Sequence, residues 1–282
     1  MDLAEGRVKI AVAESGRLQQ YLSSLPPEAW SELSACDRWE VRDVVAHLAG
    51  TAESYTERIQ ESLQEDSSTP EGQPAPVPVS AASFSEGNAQ RAISRRERLG
   101  DQVFSEFIKT NDQLNQLMAT LGHQDWDKPH YYFSLGTDEP VMYHLDLRIS
   151  ELAMHGWDIR SRLEPEAHLS DESLPVFMAM VPGQLTRFIF SPSSRLSEPI
   201  RYRWELTGAG ASTSDIVVEG DKASMEPAET SKADVTFHCD TETFVLIAFG
   251  RLTIDTAVPA HRLTIQGDHS LALEFQRWFP GM

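Results

Sequence analysis

The stretch from Tyr143 to Ile159, YHLDLRISELAMHGWDI, carries two stripes at once, and that restricts the possible fold more than any other feature of the chain. Met142, Leu145, Ile149, Leu152, Gly156 and Ile159 recur at steps of three and four, the period of the buried side of an amphipathic helix. His144, Arg148, Glu151, His155 and Asp158 keep the same rhythm, each one position before a core residue, so they border the buried side. A solvated face has little use for two histidines, and polar groups taken out of water need partners. Glu151 and His155 are four apart, which sets their Cβ atoms roughly 6 Å from each other on one helix face. A metal ion binds such a pair. A surface hydrogen-bonded pair has the same spacing.

His47, in the HLAG stretch of an earlier helix, supplies a third donor and makes the metal reading the better one. Catalytic zinc takes three protein ligands of the His and carboxylate type and keeps one position open. His47, Glu151 and His155 match that count, with Arg148 or Asp158 as hydrogen-bonding partners behind the ligands. Alone, a histidine at the edge of an apolar face reads as a satisfied core residue.

The rest of the first half is helical. Val8, Ala11, Val12, Leu18, Leu22 and Leu25 mark a helix over about 7–25, ended by Pro26 and Pro27. Val41, Val44, Val45, Leu48, Tyr55 and Ile59 mark a second, with Asp37 as its expected N-cap. A third is expected over about 90–121, with Ile93, Leu99, Val103, Phe107, Leu114, Leu117 and Leu121 buried. Between the second and third, residues 64–88 hold Pro70, Pro74, Pro76 and Pro78 and read as a long loop acting as a mobile flap. The turn-rich stretch from Trp126 to Pro140 offers tyrosines that wall a pocket or pack on the bundle end. Four amphipathic helices with one long connection make a bundle over 1–163, and bundles build metal sites from side chains on facing helices.

Past Leu163 the pattern changes, and 164–282 read as a smaller α+β domain. A helix carrying Leu174, Val176, Phe177, Met180, Leu185 and Phe188 leads into short strand-like runs at 201–206, 215–219 and 234–239. A helix ending at the C-cap glycine Gly250, a strand at 263–266 and a last helix, SLALEFQRWF, complete it.

Charge narrows the partners. A formal charge of -19 opposes contact with phosphate backbones, which needs clustered Lys and Arg, so nucleic acid and anionic membranes are disfavoured. No apolar run reaches the roughly 18 residues of a membrane span. The N-terminus lacks a signal-like apolar core, and Cys36 and Cys239 are too isolated for a disulfide framework, so a cytoplasmic protein is expected. Neither cysteine sits in a nucleophile-like motif.

Two motifs, W-x-VRDVVAHLAG from Trp39 to Gly50 and R-x-x-E-x-x-x-H-x-x-D from Arg148 to Asp158, show that the chain resembles the mycothiol-dependent maleylpyruvate isomerase family. That family has a DinB-like metal-binding four-helix bundle followed by a sterol-carrier-like α+β domain, whose point of contact here is the AFGR run from Ala248 to Arg251. The resemblance implies that His47, Glu151 and His155 hold a divalent ion, usually zinc, although nickel and iron accept the same ligands. It implies that Arg251 aids catalysis by meeting an anionic group, a position equally suited to a helix-terminus cation. Asp158 stands behind the ligands, His144 is grouped with it, and Arg148 is either a substrate anion clamp or an ion-pair partner of Glu151.

Mycothiol is then the thiol cosubstrate. A free thiol has a pKa of roughly 8.5, and a divalent metal deprotonates it. The thiolate either adds to a conjugated double bond, permits rotation and leaves, or attacks a small electrophile and stays attached. The proline-rich insertion and the long C-terminal domain depart from the simplest family pattern, which favours S-transfer or thiol exchange, with isomerisation beside it. A non-catalytic small-ligand binding module and a thiol-independent metal hydrolase are the alternatives.

Overall fold

The computed structural model describes residues 2–36, 38–64, 81–132, 137–164, 166–192, 198–228 and 232–281. They form two compact units, Met1–Leu169 and Ser170–Met282.

The first unit is a bundle. Helix α1 spans Leu3–Ser24 and ends before the two prolines, as expected from the missing N–H and fixed φ of proline. Its buried side runs through Ala4, Ala11, Ser15, Leu18 and Leu22, whereas Val12, assigned to the core by periodicity, is exposed. Helix α2 spans Val41–Leu63. The cap expected at Asp37, which lies outside the described residues, is made instead by Glu40, whose side chain and that of Asp43 satisfy each other's backbone N–H groups.

The single third helix of the sequence reading is two. α3 spans Ala81–Leu99 and α4 spans Val103–Thr120, broken by a 3-10 turn at Gly100–Gln102 in which Gly100 has φ 54°. A left-handed residue cannot continue a right-handed helix, and glycine adopts that conformation without a Cβ clash. Helix α3 also takes in 81–88, shortening the expected loop. The prolines of the proposed flap, residues 65–80, lie outside the described residues. A hairpin of β1 (Pro129–Tyr132) and β2 (Thr137–Pro140) leads into α5, Val141–Leu163. The pocket role offered for Tyr131 and Tyr132 lies outside the described side chains. Helix α2 packs on α3, α4 and α5, and α1 packs on α4 and α5. Val44, Val45, Leu48, Phe107, Leu152 and Ile159 are each at most 1% exposed, and burying one such side chain stabilises by about 1.5–3 kcal/mol.

The second unit is a mixed sheet with helices. Helix α6 spans Leu174–Gln184 and winds on as a π-turn at Leu185–Ile189 beyond Pro182. Five strands, β3 (Ile200–Thr207), β4 (Thr213–Glu219), β5 (Lys222–Pro227), β6 (Val235–Asp240) and β7 (Leu263–Gly267), lie in the order β5-β4-β3-β6-β7. Among the described strands, β3 and β6 pair in parallel and the other neighbours pair antiparallel. The strand β5 and the short helix α8 (Ile254–Ala257) were not anticipated. Helices α7 (Thr241–Ala248) and α9 (His269–Trp278) are capped by Asp240 and Asp268, which accept from backbone N–H groups of the first turn. Tyr202, Trp204 and Phe237 from the strands meet Phe244 and Phe275 from these helices in an aromatic core. Among the described residues no helix is long and apolar enough to cross a membrane.

Candidate metal centre

The buried polar stripe of α5 lies where the sequence places it, and α2 faces it. His144, Arg148 and Asp158 are each at most 1% exposed, and Glu151 and His155 are half-buried. His47 comes from the buried side of α2. Its Nε2 lies 2.8 Å from Glu151 Oε2, and His155 Nε2 approaches the same oxygen to 3.4 Å. One donor atom from each of the three residues falls within 4.8 Å of the others.

The imidazoles stand edge to face with centroids 4.9 Å apart, and the Trp39 ring packs on both, 4.9 Å from His47 and 5.7 Å from His155. Trp39 is itself buried and walls the cluster with an apolar face.

Charge is shared unequally among the three. Burial pushes His47 below its usual value, against the pull of Glu151, which favours the neutral imidazole that a metal ligand has to be. Burial would raise Glu151, but the charges and hydrogen bonds of His47 and His155 outweigh it and hold the carboxylate well below its usual range. His155 is held well above its usual value despite burial, by Cys36, Asp158 and Glu151 around it. The result is a carboxylate between two ring nitrogens, a donor set that fits a divalent ion of the zinc type.

His155 faces two ways. Its Nδ1 lies 2.9 Å from Asp158 Oδ2, and Cys36 Sγ donates to that same oxygen at 2.8 Å and lies 3.5 Å from Nδ1. Cys36 therefore belongs to the site, although nothing around it in sequence marked it. It arrives through a short segment before α2 that folds onto the end of α5: Ala35 N–H donates to the Asp158 carbonyl, Ser34 to Trp39, and Trp39 back to Cys36. No local signal carries this, because Cys36 and Asp158 meet only when α2 and α5 pack. Cys239 is unlike it, buried in β6 and pushed up to about 12 by burial and by the charge of Asp240.

Arg148 is held by partners other than Glu151. Its guanidinium is fully buried, and it donates to the Leu48 carbonyl at 3.0 Å, Thr51 Oγ1 at 3.1 Å and Asn111 Oδ1 at 2.9 Å, tying α2 and α4 to α5. Among the described residues Glu151 is ion-paired with the two histidines, and its charge acts on Arg148 from beyond ion-pair distance. Burial lowers Arg148 to about 10, so it remains a cation at neutral pH. His144 sits two turns before Glu151 and packs against Tyr55 and His130 rather than joining the three donors. Burial, then the charges of His130 and Arg58, lower it to about 3.

Arg251 lies in the second unit. It follows Gly250, whose φ is 76°, and its Nη1 donates to the Phe249 carbonyl at 2.8 Å at the end of α7, the place of a helix-terminus cation.

Comparison with known proteins agrees with this architecture. The family model described as the mycothiol maleylpyruvate isomerase N-terminal domain matches residues 11–160, and that of the SCP-2 sterol transfer family matches residues 198–280. A crystal structure of the mycothiol-dependent maleylpyruvate isomerase has a TM-score of 0.64 at 14% identity, covering 94% of this chain and 93% of that one. A mutant of that enzyme gives 0.63 at 13% identity over the same shares. At this identity the likeness shows a shared fold. Among curated proteins nothing matches.

Proposed function

Because the chain belongs to the mycothiol maleylpyruvate isomerase N-terminal domain family, we propose that it is a metal-dependent, thiol-activating enzyme in which His47, Glu151 and His155 hold a divalent ion, zinc foremost. The observation that supports this best is the convergence of two imidazoles and one carboxylate, from α2 and α5, within 4.8 Å inside a bundle. When bound, such an ion lowers the pKa of a coordinated thiol enough to make it a thiolate at neutral pH. The chain's own residues prepare the place. Glu151 stays ionised in the interior, His47 and His155 present Nε2 towards it, and Trp39 covers the two rings against water.

Mycothiol is the proposed thiol cosubstrate, and the acceptor is a small electrophile. Attack on a conjugated double bond followed by bond rotation and departure of the thiolate gives isomerisation of the maleylpyruvate type. Attack that opens the electrophile or expels its leaving group, with the sulfur kept, gives S-transfer, and attack that releases another thiolate gives thiol exchange. Both use the same nucleophile. Arg251 is proposed to meet an anionic group of the acceptor.

Elemental analysis of purified protein, with mycothiol-dependent assays on maleylpyruvate and on thiol acceptors, tests the reading. Wild type should hold about one divalent ion per chain, and His155→Ala, which removes one of three ligands, should lose it together with activity. Arg251→Ala should keep the ion and lose turnover. Unchanged metal content in His155→Ala would defeat the ligand assignment, and activity without any thiol would point to hydrolysis instead.

A further inference from the structure

We infer that Cys36 is a positioning residue for this centre, acting through Asp158 to hold the His155 ring with Nε2 turned towards His47 and Glu151. The inference rests on the metal reading above and adds a residue to it. Its basis is a three-membered chain of contacts: Cys36 Sγ and His155 Nδ1 both address Asp158 Oδ2, at 2.8 and 2.9 Å, and they lie 3.5 Å from each other.

Asp158 is fully buried, and a carboxylate without water needs donors. A carboxylate that accepts Nδ1–H fixes which nitrogen of a ligating histidine carries the proton and which way the ring turns, and it raises the basicity of the other nitrogen. Here that other nitrogen is Nε2, the one beside Glu151. Asp158 in turn requires its own restraint, since a carboxyl group rotates about its Cβ–Cγ bond. Cys36 supplies a second donor to the same oxygen, and the backbone around it is itself anchored. Ala35 N–H bonds the Asp158 carbonyl, Ser34 Oγ receives the Cys36 N–H at 3.1 Å, and Trp39 N–H closes on the Cys36 carbonyl at 2.9 Å. The segment before α2 thus grips Asp158 through main chain and side chain, and its Trp39 covers the His155 ring face. Thiol, carboxylate and indole leave the ring little freedom to turn.

The test uses the full chain, without added thiol. Zinc affinity is measured by competition with a chromogenic chelator, and the ligand field by the visible spectrum of the cobalt(II)-loaded protein. Loss of a hydrogen-bonding partner behind a metal ligand weakens binding by about 10–100-fold. Cys36→Ala should weaken zinc binding about tenfold, the low end of that range because Cys36 acts at one remove. It should also shift the cobalt bands. Cys36→Ser, which keeps a donor, should restore both, and Cys36→Val, which fills the space without one, should weaken binding as alanine does while the fold is kept, which separates loss of the donor from loss of packing. In an Asp158→Asn background Cys36→Ala should add nothing further, an outcome that simple loss of packing would not give.

Equal zinc affinity in wild type, Cys36→Ala and Cys36→Val overturns the inference. So does a sulfur-to-cobalt charge-transfer band in wild type that vanishes in Cys36→Ser, since Cys36 would then be a ligand itself. Failure of wild type to bind zinc or cobalt at all removes the metal reading and this inference with it, and it is seen before any substitution is made.

Discussion

A histidine buried at 1% exposure carries a cost that depends on pH, and His144 is the clearest case in this chain. Burial, with the charges of His130 and Arg58, lowers it from the usual 6.5 to about 3. Above pH 6.5 the imidazole is neutral whether the chain is folded or not. Below it the unfolded chain takes up a proton that the folded chain refuses until about pH 3, so stability present at neutral pH is lost across that window, at up to about 1.4 kcal/mol per pH unit. Asp146, two residues further along α5 and pushed up to about 6 by burial against the pull of Arg7, acts with the opposite sign between about 4 and 6. Comparison with His144→Leu therefore isolates the histidine: urea unfolding from pH 7 to pH 4 should show a shallower loss in the variant. Parallel profiles would mean that His144 takes up its proton in the folded protein as readily as in the unfolded one. Arg148 shows the same economy of burial from the cationic side, since three acceptors on α2 and α4 compensate its desolvation.

At the scale of elements, two glycines in helical surroundings have opposite meanings. Gly100 holds φ 54° at the break between α3 and α4, whereas Gly16 lies exposed within α1 in ordinary helical conformation, and neither would bring a Cβ within 4 Å of a neighbour. Space is therefore not the issue, and backbone conformation decides. Gly100→Ala should destabilise by about 1–2 kcal/mol, the cost of a left-handed non-glycine residue. Gly16→Ala should stabilise by about 0.5–1 kcal/mol through helix propensity. Denaturant midpoints of the two variants moving in the same direction would contradict this account. The pair also explains why one helix was read where two exist: apolar periodicity runs through Ile93, Leu99, Val103 and Phe107 without a phase change large enough to see. A lone glycine in a helical pattern has no outward sign of its φ. The Trp126–Pro140 hairpin was missed for a related reason, its strands being short and lacking alternation, and β5 carries mostly half-exposed or exposed residues that leave no apolar pattern to read. Helices α2 and α5 were legible because each buries a wide face whose period dominates its composition.

For the whole molecule, the sequence carried the change of pattern from helical bundle to α+β sheet, and it carried the three donors, because His47, Glu151 and His155 are each placed by the face of a long helix. What it could not carry was the inner contact of Cys36 with Asp158, 122 residues apart, which depends on how a short irregular segment lies on a helix end. This division has a measurable consequence. A ligand that binds only the folded protein stabilises it by RT ln(1 + [L]/Kd), about 2.7 kcal/mol at a hundredfold excess over Kd. With the donors on α2 and α5 and their support in Ser34, Ala35, Cys36 and Trp39, amide hydrogen exchange of the full chain should slow on zinc addition in those segments first. Amides there that open locally gain protection by up to the binding energy, because each opening releases the ion. Slowing in α7 or α9 with none in α2 or α5 would place the bound ion elsewhere. Absence of any slowing at saturating zinc would mean that the three side chains, close as they are, serve as a hydrogen-bonded core triad and nothing more.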